Sequence, residues 1–176
     1  FMALKGCFDG RQWQAWPEEV RLRRPAALAE YRERLQQEIS FWQYVQYLFF
    51  SQWEKLKTYA NQNGISIIGD IPIYVAMDSA DVWVEGDLFQ LDESRRPTAV
   101  AGVPPDMFSA TGQLWGNPLY DWQAMERDGF AWWKARMSSS AALYDLIRID
   151  HFIGVVNYYA IPAGENTAMN GQWMAR

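Results

Sequence analysis

Two short isoleucine-rich runs, Ile65 to Ile68 and Leu146 to Ile149, each lead into an aspartate. This repeated arrangement constrains the fold more than any other feature of the chain. Such runs are too short for helices and read as strands buried on both faces, as in a parallel sheet. The first passes through Gly69 to Asp70, and Pro72 limits its continuation because proline cannot donate to a ladder. The second contains Arg148 and ends at Asp150.

Each run follows a helical pattern. Pro25 suits a first helical turn. From there Leu28, Tyr31, Leu35, Ile39, Trp42, Val45, Phe49, Trp53, Leu56 and Ala60 recur at spacings of three and four, which predicts one continuous helix. Asn63-Gly64 supplies its stop, with Gly64 free to turn left-handed. The polar face thins between Phe41 and Phe50, so the middle of this helix is expected to be covered on several sides. A second helical region runs from about Asp121 to Leu143, broken near Gly129. Helix then strand, twice over, indicates βα units and an α/β fold.

Between these units, from about 71 to 122, the periodicity fails. Pro97, Pro104, Pro105 and Pro118 and four glycines punctuate the segment, with a short helix expected after Ser79. Loops this long are usually functional or disordered. The apolar Val100, Val103, Met107, Phe108, Leu114 and Trp115 argue against disorder. In a parallel barrel, functional groups gather at the C-terminal ends of the strands. Asp70 and Asp150 would then share one face, with the excursion lying over it.

Composition narrows the chemistry. The chain has 176 residues and a net charge of −5, a poor match for nucleic-acid binding, which needs clustered Lys and Arg. A single cysteine, Cys7, excludes an internal disulfide and a multi-cysteine zinc site, and fits a reducing, cytoplasmic setting. The most apolar run, Phe41 to Phe50, is about half the ~20 residues of a membrane span. Ten tryptophans are compatible with core packing or with stacking on the apolar face of a sugar. The chain opens on Phe1 and closes on Arg176, which reads as an interior piece of a longer protein.

Several blocks in the excursion and around the second strand carry a specific signal. They are Gly69-Asp70-Ile71-Pro72-Ile73-Tyr74-Val75-Ala76, Val100-Ala101-Gly102-Val103-Pro104-Pro105-Asp106, and Gly112-Gln113-Leu114-Trp115-Gly116-Asn117-Pro118-Leu119-Tyr120. Arg148-Ile149-Asp150-His151-Phe152 completes the series. In these residues and in their order the chain resembles the 4-α-glucanotransferases of the amylomaltase, or disproportionating-enzyme, type. The resemblance continues through Ile161-Pro162-Ala163-Gly164 to Gly171-Gln172-Trp173.

The resemblance implies a partial (β/α)8 barrel with a long irregular insertion over its C-terminal face. Its partner would be the remainder of the same barrel. The implied activity moves α-1,4-glucan segments between maltooligosaccharides with retention of configuration. Such chemistry uses two carboxyl groups about 5–5.5 Å apart and no metal or organic cofactor. By the match, Asp150 is the nucleophile, Arg148 orients its carboxylate, and His151 reaches a sugar hydroxyl. Asp70, Asp106 and Gln113 fall on positions that bind hydroxyls, and Trp115 offers an apolar platform. The acid/base carboxyl is expected beyond Arg176.

Two positions depart from the family pattern: Ile153 replaces an arginine and Met107 replaces a tyrosine. Each site residue also has a plainer reading. Asp70 suits a turn, Asp150 an N-cap, His151 and Trp115 a packed interior. A different class remains open too, a glucan-binding remnant without catalysis, and so does a retaining α-glucan hydrolase.

Overall fold

The computed structural model describes residues 1–176 throughout, and the chain divides into two compact units. The first comprises Phe1–Ile71 with Trp132–Arg148, the second Pro72–Ala131 with Ile149–Arg176. No helix is long and apolar enough to cross a membrane.

In the first unit, α1 (Met2–Cys7), α2 (Glu18–Arg21), α3 (Pro25–Arg34) and α4 (Gln36–Gln62) follow one another. Trp13, Trp16, Val20, Ala27 and Leu35 are buried among them. The stripe expected as one helix from Pro25 is two helices. The break falls at Leu35, whose φ of −106° and ψ of 25° leave helical geometry while its side chain is buried. α4 then ends as its sequence dictates. Gly64 adopts φ 76°, Ile65 N–H donates to Ala60 O at 3.0 Å, and Gly64 N–H donates to Asn61 O at 3.0 Å. These paired bonds satisfy the carbonyls that a helix end leaves over. The expected cover over the middle of α4 is not found: Phe41, Tyr44, Tyr47, Phe49 and Phe50 are all exposed.

The first strand is displaced from the apolar run. β1 spans Ile68–Pro72, so Ile65 to Ile67 are its approach, and Asp70 lies inside the strand. β4 spans Leu146–Asp150 as expected and is the hydrogen-bonded neighbour of β1. Neither is buried on both faces. Gly69 and Ile71 face inward while Ile68 and Asp70 are exposed, and Leu146, Arg148 and Asp150 share the exposed face of β4. α7 (Ala131–Leu143) leads into β4.

The second unit contains more order than periodicity revealed. Ser79 caps α5 (Ala80–Val84), accepting from Val82 N–H at 3.3 Å. β2 (Ala99–Val103) and β3 (Gln113–Pro118) pair antiparallel, and β5 (Asn157–Pro162) and β6 (Gln172–Ala175) extend them into a four-stranded sheet ordered β3-β2-β5-β6. Val100, Tyr159, Ile161 and Ala168 form its buried cluster. The segment read as irregular therefore contributes half of a sheet whose other strands lie after Asp150. α6 (Trp122–Arg127) is capped by Asp121, and Gly129 and Phe130 both take positive φ at the break before α7.

Candidate active site

β4 ends at Asp150, and its alternation sets Arg148 and Asp150 on one exposed face. Arg148 Nε lies 3.1 Å from Asp70 Oδ1. The Arg148 guanidinium is thus ion-paired with the other strand's aspartate. Both partners are more than half exposed, so the pair contributes little stability and acts mainly as an orienting contact.

In the second unit, the residue after Asp150 turns sharply. His151 holds φ 54° and ψ 45°, an uncommon left-handed conformation for a residue with a β-carbon, of the kind concentrated at functional sites. A 3-10 turn over Phe152–Val155 follows. Asp150 is therefore not the N-cap of a helix. Gly154 is buried against Tyr74 and His151: a β-carbon there would lie 3.2 Å from the Tyr74 hydroxyl and 3.3 Å from His151 Cδ2.

Two aromatic rings gather around His151. The Trp115 ring meets it edge-on with centroids 4.8 Å apart, and Tyr74 lies 6.4 Å away. Trp115 Nε1–H donates to Gln113 Oε1 at 3.0 Å, so these two sequence candidates hold each other at the start of β3. The Tyr74 segment is fastened to the end of β3. Tyr120 O–H donates to Ile73 O at 2.6 Å, and Asn117 Nδ2 donates to Val75 O at 2.9 Å.

Electrostatics follow from burial. Desolvation lowers the His151 pKa, with the Asp150 carboxylate partly opposing it, so the imidazole is neutral at neutral pH. Desolvation also pushes the Tyr74 phenol up to about 12, with Tyr158 adding to the shift. The Tyr74 hydroxyl and His151 Nε2 are both buried and neither hydrogen-bonds to the protein.

Asp106 lies in an exposed turn. Its Oδ1 accepts from Phe108 N–H and Ser109 N–H, each at 2.8 Å. It is a turn former here, and Met107 and Phe108 beside it are almost fully exposed. Tyr74 was within a quoted block yet not singled out by sequence. An aromatic after a strand has many uses, and only its burial beside His151 distinguishes it.

A family model described as 4-alpha-glucanotransferase matches residues 1–176. The chain is 52% identical over 174 residues to the 4-alpha-glucanotransferase of Thermus thermophilus, covering 99% of this chain and 35% of that protein. It is 51% identical over 175 residues to that of Streptococcus pneumoniae, again with 99% and 35% coverage. The structure is similar to the amylomaltase from Streptococcus agalactiae solved with acarbose. There the TM-score is 0.95 and the identity 45%, with 99% of this chain and 35% of that chain covered. The α/β fold thus matches a segment of an amylomaltase, and the chain spans about a third of the length of the curated relatives it matches. On its sequence and its fold, the chain belongs to the 4-alpha-glucanotransferase family.

Proposed function

We propose that these residues are the nucleophile-bearing segment of a 4-α-glucanotransferase that moves α-1,4-glucan segments between maltooligosaccharides. In this reading β1 and β4 are strands of a (β/α)8 barrel, and residues from about 71 to 122 lie over its C-terminal face. The observation that carries the reading is the end of β4, where Asp150 and Arg148 share an exposed face inside the Arg148-Ile149-Asp150-His151-Phe152 motif. A carboxylate at a barrel strand's C-terminal end is where such folds keep their chemistry.

The steps follow from that placement. An Asp150 oxygen attacks the anomeric carbon as the glycosidic C–O bond breaks. A second, protonated carboxyl group gives its proton to the leaving oxygen, and this group is assigned to family positions outside these residues. The glucosyl ester is then opened by an acceptor hydroxyl, whose proton returns to the second carboxylate. Arg148 orients the acid face and is itself oriented by Asp70. The neutral His151 can donate to or accept from a sugar hydroxyl. Trp115, fixed by Gln113, offers a ring to a pyranose face. Asp106 is assigned a hydroxyl contact through the oxygen not used in its turn. The acarbose complex of the Streptococcus agalactiae relative supports a glucan-like ligand.

The test uses a polypeptide of full family length that carries this segment. Asp150→Asn keeps the shape of the side chain and removes the nucleophile. Transfer from maltotriose should fall by orders of magnitude while calorimetric binding of acarbose changes only a few-fold. Retention of more than a few per cent of the activity would refute the assignment.

A further inference from the structure

We propose that Asp145 is a positioning residue for this site: it clamps the start of the strand that bears Arg148 and Asp150 to the start of the strand that bears Asp70. The inference rests on the reading of Asp150 as nucleophile.

The strand pair needs such a device. β1 and β4 are only five residues each, so contacts at the strand entrances weigh heavily in fixing how they pair. A slip of one residue would turn Arg148 and Asp150 to the opposite face. Asp145 immediately precedes β4 and Ile67 immediately precedes β1. Ile67 N–H donates to Asp145 Oδ2 at 2.8 Å, and Asp145 N–H donates to Ile67 O at 2.9 Å. This reciprocal pair joins the two strand entrances at one register. Asp70 and Arg148 each lie three residues beyond the clamp, which brings their side chains abreast at 3.1 Å.

The carboxylate is itself held from α4. Asn61 Nδ2 donates to the same Oδ2 at 2.8 Å, and Lys57 Nζ lies 3.5 Å from Oδ1. Those donors, with the Ile67 amide first among them, lower the Asp145 pKa and keep it ionised. α4 also grips the preceding turn, since Trp53 Nε1–H donates to Leu143 O at 2.8 Å. A residue that only joined a helix to a strand would not need its carboxylate at the centre of three donors from two other elements.

The enzyme of full family length is the object of the test. Asp145→Asn weakens the carboxylate's charge-assisted bonds, and Asn61→Ala removes one donor. A misplacement of about 1 Å can cost a reaction ~10²-fold. For Asp145→Asn we therefore expect kcat to fall roughly tenfold with KM within about twofold, measured well below the melting temperature. Asn61→Ala should fall in the same direction and by less. Amide hydrogen exchange from Leu146 to Asp150 should quicken in both. Wild-type kcat in Asp145→Asn and Asn61→Ala, with or without a lowered melting temperature, overturns the proposal. So does unchanged exchange in β4. Asp145→Ala is expected to be worse, and if it does not fold, the two milder variants decide the matter. An active Asp150→Asn enzyme would remove the nucleophile assignment instead, while quickened exchange in Asp145→Asn would still support the clamp.

Discussion

Gly69 sits in β1 directly before Asp70, and it is required there for space rather than for backbone freedom. A β-carbon built on it would penetrate the Tyr144 ring, contacting Cδ2, Cγ and Cε2. Carbon atoms pack at about 3.5–4.0 Å, so the ring would have to retreat by more than about 1 Å. Trp53 packs on the same ring, edge-on with centroids 5.9 Å apart, and is itself held through its indole N–H to Leu143 O. Overpacking of this kind costs about 1–3 kcal/mol. Gly69 does not have a positive φ, so alanine also gains about 0.4–1 kcal/mol from the restricted unfolded chain. Gly69→Ala should therefore destabilise by a net ~1.5 kcal/mol. In a Tyr144→Ala background the clash is absent, and the same substitution should be neutral or stabilising by about 0.5 kcal/mol. The cycle then gives a coupling energy of about 2 kcal/mol, the clash alone. Equilibrium urea unfolding of the four variants, at full family length and followed by tryptophan fluorescence, measures it. An equal cost of Gly69→Ala in both backgrounds, or no cost in either, would refute the packing argument.

Two titrations test the electrostatics around His151. It is the only histidine in the 176 residues, and its imidazole midpoint by NMR should fall below the ordinary value of ~6.5. Because the fold favours the neutral ring, its contribution to stability is present above pH ~6.5 and is lost as pH falls through the lowered midpoint; a midpoint at or above 6.5 would contradict the burial argument. Tyr74 should ionise at about 12, so the difference between the ultraviolet titrations of wild type and Tyr74→Phe should be one late step. The fold favours its protonated form, so that stability holds below pH ~10 and is lost as pH rises toward 12; a difference step lying near 10 instead would show that Tyr74 is not buried in solution.

The local elements were legible in the sequence because their causes are local. Asn63-Gly64 ends α4 through bonds among neighbouring residues, Ser79 caps α5 three residues from its donor, and Gly129 breaks the helix that precedes β4. The run Leu146 to Asp150 was correctly bounded, and its alternation alone put Arg148 and Asp150 on one face. The motif blocks, read in order, identified the family. Even so, pattern misplaced β1 by three residues, since Ile65 to Ile67 has the higher strand propensity and only pairing to β4 places the ladder at Ile68–Pro72. It also ran α3 and α4 together, because a stripe of spacings does not register the turn at Leu35.

What the tertiary structure alone decided depends on residues far apart in the chain. β2 and β5 are joined across more than fifty residues, so no window contained the four-stranded sheet. Arg148 pairs with Asp70, seventy-eight residues away in sequence, because β1 and β4 are hydrogen-bonded neighbours. His151 takes its left-handed turn beside Trp115 and Tyr74, and Asp145 finds Ile67 and Asn61, through packing that no spacing rule encodes. Residue types and short spacings determined which groups this chain could bring to a site; the long-range pairing of its strands determined which of them face one another.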